Sequence, residues 1–265
     1  VSRLPDQTSE QDLLVDLADG VLRLTMNRPR VYNALSPALV EALTAEIEGA
    51  TARDDVRVVV VTGAGAAFST GAELAGEDPI AGFDITSMDR ANRLVRAVVG
   101  LDKPVLAAVN GVAAGVGCSL ALAADLVVAS SQASFLLAFA RIGFMPDGGT
   151  SASVAASVGR ARAMRMALLA DPLSAQEASD AGLVSHLAPA EEFPALVDAL
   201  AARLAAGPPL AMAATKKAVN AATLTELDAA LERERLGQST LMRTADAAEG
   251  MRAFTEKRRP AFRGE

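Results

Sequence analysis

Short apolar runs dominate roughly the first 190 residues of this 265-residue chain, and helical spacing dominates the rest. Residues 13–17 and 21–26 are apolar-rich segments split by Asp19-Gly20, a pattern that predicts two strands joined by a tight turn. Ser36-Pro37 supplies an N-cap and a first-turn proline, and Leu39, Val40, Leu43 and Ile47 continue that helix. Residues 57–62 read as a strand covered on both faces. Residues 75–86 lack periodicity and are expected to be a loop. A helix over 87–99, a strand over 105–109, a helix over 116–124 and a strand over 126–129 follow. Helices are expected over 148–158, 161–169 and 175–181, the last capped by Ser174 and stopped by Gly182. From residue 191 onward helix follows helix, with turns at Gly207-Pro208-Pro209 and near 223–225. The pattern predicts a flexible tail over 1–11, an α/β core over 12–190 and a helical C-terminal subdomain over 191–265.

Two glycine-bearing segments stand out, 63–74 and 110–118. Each follows a buried-type strand and leads toward a helical pattern, so each is expected to expose unpaired backbone N–H groups. Two such donor sites brought together hold one developing negative charge, as an enolate requires.

Composition removes several alternatives. No apolar run approaches ~18 residues, so no membrane span is expected. The polar start over 1–11 lacks a secretory signal pattern. One cysteine rules out an internal disulfide framework and suits a reducing cytoplasm; with only one histidine beside it, no soft-ligand metal site is expected. A net charge of −7 and sparse aromatics argue against nucleic-acid binding.

Competing motifs fit poorly. In a dinucleotide-binding G-x-G-x-x-G the third glycine would fall on Phe68, and no lysine follows these glycines as a Walker loop needs. Ser119 and His186 are the one serine–histidine pair worth naming for a hydrolase, but there is no G-x-S-x-G elbow.

Leu24-Thr25-Met26-Asn27-Arg28-Pro29, Asn33-Ala34-Leu35, the stretch 67–74 and Asp102-Lys103-Pro104-Val105 occur in that order. The stretch 110–118, Ala123-Ala124-Asp125-Leu126, Ile142-Gly143-Phe144-Met145-Pro146-Asp147-Gly148-Gly149 and Ser174-Ala175-Gln176-Glu177-Ala178 follow. Together they resemble the crotonase (enoyl-CoA hydratase/isomerase) superfamily over nearly the whole chain. The resemblance implies a spiral of ββα units with a helical trimerisation region, and a homotrimer or dimer of trimers. It implies an acyl-CoA thioester as substrate, with coenzyme A part of that substrate and no separate cofactor.

The resemblance assigns the oxyanion hole to the backbone N–H groups of Ala72 and Val116, the valine standing where glycine is usual and narrowing the pocket. Ser119, Phe139 and Phe144 are expected on the acyl pocket. Arg28, Ala34, Phe68, Phe254 and Lys257 are expected to contact CoA, the last two often from a neighbouring subunit. Hydratases of the family use two glutamates, and the matching positions hold Ser119 and Phe139. One acid remains in place, Asp147, whose ordinary alternative is a helix cap. Its pattern resembles the branch with Δ3,Δ2-enoyl-CoA isomerases and the oxepin-forming ring-epoxide isomerase, where one acid shuttles the proton. The expected activity is therefore a double-bond shift in an enoyl-CoA; hydration and silent acyl-CoA binding are the alternatives. Glu73 reads as a helix-start cap, Glu77 and Asp84 as solvated acids, and each is a candidate second carboxylate, as is Asp78.

Overall fold

The computed structural model describes residues 11–74 and 84–265. Strands β1 (Leu13–Ala18) and β2 (Val21–Met26) form the expected hairpin, and its turn needs positive φ at both Asp19 (51°) and Gly20 (79°). Helix α1 (Pro37–Gly49) starts where Ser36 Oγ accepts the Leu39 N–H. Three strand pairs follow, each leading to a helix. They are β3 (Val58–Gly63) and β4 (Ala67–Ser69) with α2 (Ile85–Gly100), then β5 (Val105–Val109) and β6 (Val112–Ala114) with α3 (Val116–Ala123). The third is β7 (Leu126–Ser130) and β8 (Ser134–Leu136), reaching α4 (Thr150–Val158) through a 3₁₀ turn at Ala138–Ile142. The chain continues through α5 (Arg160–Leu169), β9 (Leu173–Ser174), α6 (Ala175–Asp180) and β10 (His186–Ala188). Four helices end it: α7 (Phe193–Ala205), α8 (Pro209–Thr223), α9 (Leu227–Leu241) and α10 (Ala245–Thr255).

The first strand of each pair enters a six-stranded sheet, order β1-β2-β3-β5-β7-β10, parallel except for β1. The second enters a four-stranded sheet, order β4-β6-β8-β9. This is the ββα spiral that the resemblance implied. The small sheet escaped the sequence pattern because strands of two or three residues carry no readable period.

Burial explains the apolar runs. One face of the large sheet contributes Val59, Val61 and Ala107 to the main core, and the other presents Val58, Val60 and Leu106 to Phe193, Val197 and Ala201 of α7. Each such buried Val or Leu contributes about 1.5–3 kcal/mol. The helical ending is thus built into the core: α7 covers the sheet, while Leu227 and Leu231 of α9 pack on Val95 of α2. Among the described residues no single helix is long and apolar enough to cross a membrane.

Helix α8 is tied in by an ion pair whose lysine side chain is buried. Lys216 Nζ lies 2.8 Å from Asp125 Oδ2, with the lysine side chain 8% exposed. The lysine also donates to the carbonyls of Val98 and Lys103, and Asp125 accepts the Val105 N–H. Lys216→Met is expected to cost about 1–3 kcal/mol, the loss of charged hydrogen bonds to a partly exposed carboxylate and two carbonyls. A urea melt that moves by less than about 1 kcal/mol would contradict this assignment.

Candidate active site

The two glycine segments meet. At Gly71, with φ at +90°, an added Cβ would lie 2.7 Å from the Ala114 carbonyl oxygen, 3.3 Å from the Val116 nitrogen and 3.4 Å from Gly115 Cα. Only a residue without Cβ lets the backbones approach so closely.

The first segment departs from expectation: β3 leads into strand β4, and residues 70–74 are not helical. Its N–H groups are sorted by neighbours instead. Ser69 Oγ takes the Gly71 N–H at 3.1 Å and itself donates to the Asn33 carbonyl. Leu35 donates to Gly71 O and accepts from Glu73 N, a parallel bridge that flanks Ala72. That geometry turns the Ala72 N–H away from Leu35, and Ala72 lies on a cavity wall. Asn33, fully buried, braces the segment by donating to the carbonyls of Ala64 and Ala67. The second segment behaves as expected. Val116 is the first residue of α3, where N–H groups lack intrahelical partners and the helix dipole is positive, and it lines the same cavity.

That cavity holds about 490 Å³ and is walled mainly by apolar side chains, Phe139 and Phe144 among them. Among the described residues, Asp147 and Glu73 are the carboxylates on this wall.

Asp147 is 4% exposed. Its Oδ2 accepts from Gln238 Nε2 at 3.2 Å, and its Oδ1 has no hydrogen-bond partner among the described residues. Burial pushes its pKa up to about 7; the Gln238 bond pulls down and the nearby Glu234 carboxylate pushes up. The helix-cap alternative fails on a specific contact. The N-terminus of α4 is capped by Glu234 of α9, which accepts from Gly149 N at 2.7 Å and Ser151 N at 2.9 Å. Asp147 uses only its backbone carbonyl there, accepting from Thr150 and Ser119.

Several expectations need correction. Ser119 does not line the cavity: it is buried behind Asp147, its hydroxyl donating to the Asp147 carbonyl at 2.9 Å. An added Cβ at Gly148 would come within 2.6 Å of Ser119 Cβ, so the acid-bearing turn is pressed against α3. His186 is exposed on edge strand β10, where its ring meets Ser185, so no Ser119–His186 pair forms. Burial raises the Cys118 thiol to about 12, which removes a thiolate nucleophile at neutral pH.

Glu73 is no helix cap: its Oε1 pairs with Arg28 at 2.7 Å. Arg28 in turn is engaged by Glu73, by Asp12 at 3.3 Å and by the Ala34 carbonyl at 2.7 Å, which leaves it little charge for a CoA diphosphate. Ala34 is nearly buried with its carbonyl already bonded, and the Phe68 side chain is fully buried in the main core, so it cannot touch a ligand. Phe254 stands at the cavity, 61% exposed, and Lys257 is exposed one turn on. Asp84 is exposed as expected but caps α2, accepting from the N–H groups of Thr86 and Ser87. Glu77 and Asp78 lie outside the described residues.

Sequence reading missed Glu234 and Gln238. Their one signal is that they stand four apart on a helix that contains Gly237, whose missing Cβ admits the Met145 sulfur.

A family model described as enoyl-CoA hydratase/isomerase matches residues 16–265. The chain is 43% identical to a probable enoyl-CoA hydratase of Rhodobacter capsulatus over 94% of this chain and 96% of that protein. It is 37% identical to the 1,2-epoxyphenylacetyl-CoA isomerase of Escherichia coli over 95% of this chain and 98% of that protein. Among solved structures, an enoyl-CoA hydratase from Mycobacterium avium subsp. paratuberculosis superposes with a TM-score of 0.89 at 50% identity, covering 96% of this chain and 99% of that one.

Proposed function

The chain belongs to the enoyl-CoA hydratase/isomerase family, the crotonase superfamily, and from that premise we propose that it shifts a double bond within an enoyl-CoA thioester, Asp147 alone carrying the proton. The observation that carries this reading is the Asp147 carboxylate: buried, on the cavity wall, with one oxygen free. Among the described residues the other acid on that wall, Glu73, is committed to Arg28.

The thioester carbonyl oxygen of a 3-enoyl-CoA sits between the N–H groups of Ala72 and Val116. The Asp147 carboxylate takes a proton from the carbon next to the carbonyl, and the electron pair spreads onto that oxygen as a dienolate. The two N–H groups stabilise the charge, each contributing about 3–4 kcal/mol in comparable sites. Asp147 then returns its proton two carbons further along, giving the conjugated 2-enoyl-CoA. No atom is added, so a single base suffices. Hydration would need water held between two carboxyl groups, and the positions reserved for them hold Ser119 and Phe139. Relatives carry both kinds of name, hydratase and isomerase, so the choice rests on these residues.

The mainly apolar wall suits an apolar acyl group. In this reading Phe254, at the cavity, and the exposed Lys257 meet the CoA end. The expected assembly is a trimer or a dimer of trimers, and Leu168, Leu169, Leu210 and Leu236 leave apolar surface exposed for such contacts.

The test is to offer 3-hexenoyl-CoA and crotonyl-CoA separately and follow products by mass. The expected result is conversion of the first to an isobaric conjugated product and no water added to the second. Hydrated crotonyl-CoA as the main product would overturn the reading. Because the working form is the carboxylate, kcat/KM should fall as pH drops through about 7, the value to which burial raises Asp147. A limb near pH 4 would mean that another acid is the base.

A further inference from the structure

Helix α9 aims two buried polar side chains at the segment that bears Asp147. Glu234 is 1% and Gln238 2% exposed, and their four-residue spacing puts them on one face. The Gln238 amide grips Met145 at both ends: its oxygen accepts the Met145 N–H at 3.3 Å and its nitrogen donates to the Met145 carbonyl at 2.8 Å. This grip decides the amide's orientation. Reversed, it would set a donor against a donor and an acceptor against an acceptor. The nitrogen therefore faces Asp147 Oδ2. Glu234 fixes the other side of the acid by holding the N–H groups of Gly149 and Ser151. Asp147 thus stands between two anchors, with Ser119 holding its carbonyl from α3.

We propose that Glu234 and Gln238 are positioning residues that hold the Asp147 carboxylate at the cavity wall and set its basicity in opposite senses. Gln238 tethers Oδ2, so the carboxylate cannot rotate, and its N–H favours the charged form. Glu234 frees Asp147 from capping α4, and its negative charge, the one that acts on Asp147 from the packed elements, favours the protonated form. The C-terminal helices therefore help build the site as well as the expected assembly surface. This inference rests on the reading of Asp147 as the proton carrier.

The experiment is the pH dependence of kcat/KM on 3-hexenoyl-CoA for the full chain and for Gln238→Met, Glu234→Gln and Asp147→Asn. In Gln238→Met the acidic limb is expected to move up by about one pH unit, the size of one lost hydrogen bond to a charged carboxylate. Activity at pH 7 then falls about fivefold, mostly in kcat. In Glu234→Gln the limb is expected to move down. A side chain that merely supports the fold predicts no such opposed shifts. Limbs that stay put, or that move together, in proteins that still melt cooperatively overturn the proposal. Should Gln238→Met not fold, Gln238→Glu keeps an acceptor for the Met145 N–H and adds a charge beside Asp147. Its limb must then rise, and an unmoved limb is equally fatal. Asp147→Asn separates the two levels: if it stays active the one-base reading falls, and if it is inactive while the limbs stay put, only the positioning falls.

Discussion

Asp147→Asn is expected to lower kcat for double-bond migration by about 10³-fold or more, near the upper end of what a positioned general base contributes. In the proposed reaction the same carboxylate removes and returns the proton, and Glu73, the other acid on the wall among the described residues, is paired with Arg28. The amide keeps the size of the side chain and still meets Gln238, so thioester binding should persist. The substitution should also stabilise the protein at alkaline pH. Burial raises the Asp147 pKa to about 7, whereas a carboxyl in the unfolded chain ionises at roughly 3.9. Between those values the folded state holds a proton that the unfolded state has given up. Stability therefore falls as pH rises through that window, and above it the buried charge is a standing cost. Asparagine never ionises and escapes the cost. Thermal melts at pH 5 and pH 8 should show the variant gaining on the wild type at the higher pH. Equal melting differences at both would mean that the carboxylate is solvated. An active variant would show that Asp147 is not the base.

Local chemistry made much of the scaffold legible. Asp19-Gly20, Ser36-Pro37 and Ser174 each state a turn or a cap within a few residues, and each forms as the pattern predicts. The three-residue strands β4, β6 and β8 had no period to read, yet they place the two glycine segments side by side. The site divides in the same way. Asp147 and Val116 were readable because their own neighbours carry the signal. Gln238 stands 91 residues from Asp147, and Glu234 stands 85 from Gly149, so only packing joins them. Arg28 misled for a related reason. A lone arginine in a ligand-binding segment reads as a phosphate contact until Glu73, 45 residues away, is seen to occupy it. Phe68 misled because a backbone bordering a site says nothing of which face its side chain takes. Here it is the core.

Gly71→Ala is expected to lower kcat by about 10²–10³-fold, the loss that follows removal of one oxyanion donor. The new Cβ would meet the Ala114 carbonyl oxygen at 2.7 Å and press on the Val116 nitrogen at 3.3 Å, both of them backbone atoms with no flexible side chain to yield. The segment bearing Ala72 must then swing away from α3, which separates the two N–H groups proposed to share one oxygen. The positive φ of +90° adds a backbone cost of order 1–3 kcal/mol, so some loss of stability comes with it. Gly49→Ala provides the control. An added Cβ there meets nothing within 4 Å, and alanine in a helix should leave activity unchanged and stability equal or slightly higher. The catalytic effect separates from the folding effect at a temperature well below both melting transitions. There Gly71→Ala should still bind a saturated acyl-CoA, with a change in affinity much smaller than the change in kcat, because the hole acts mainly on charge that develops during the reaction. Full turnover in a folded Gly71→Ala protein would mean that the thioester oxygen is held elsewhere, and that the meeting of the two glycine segments serves only the fold.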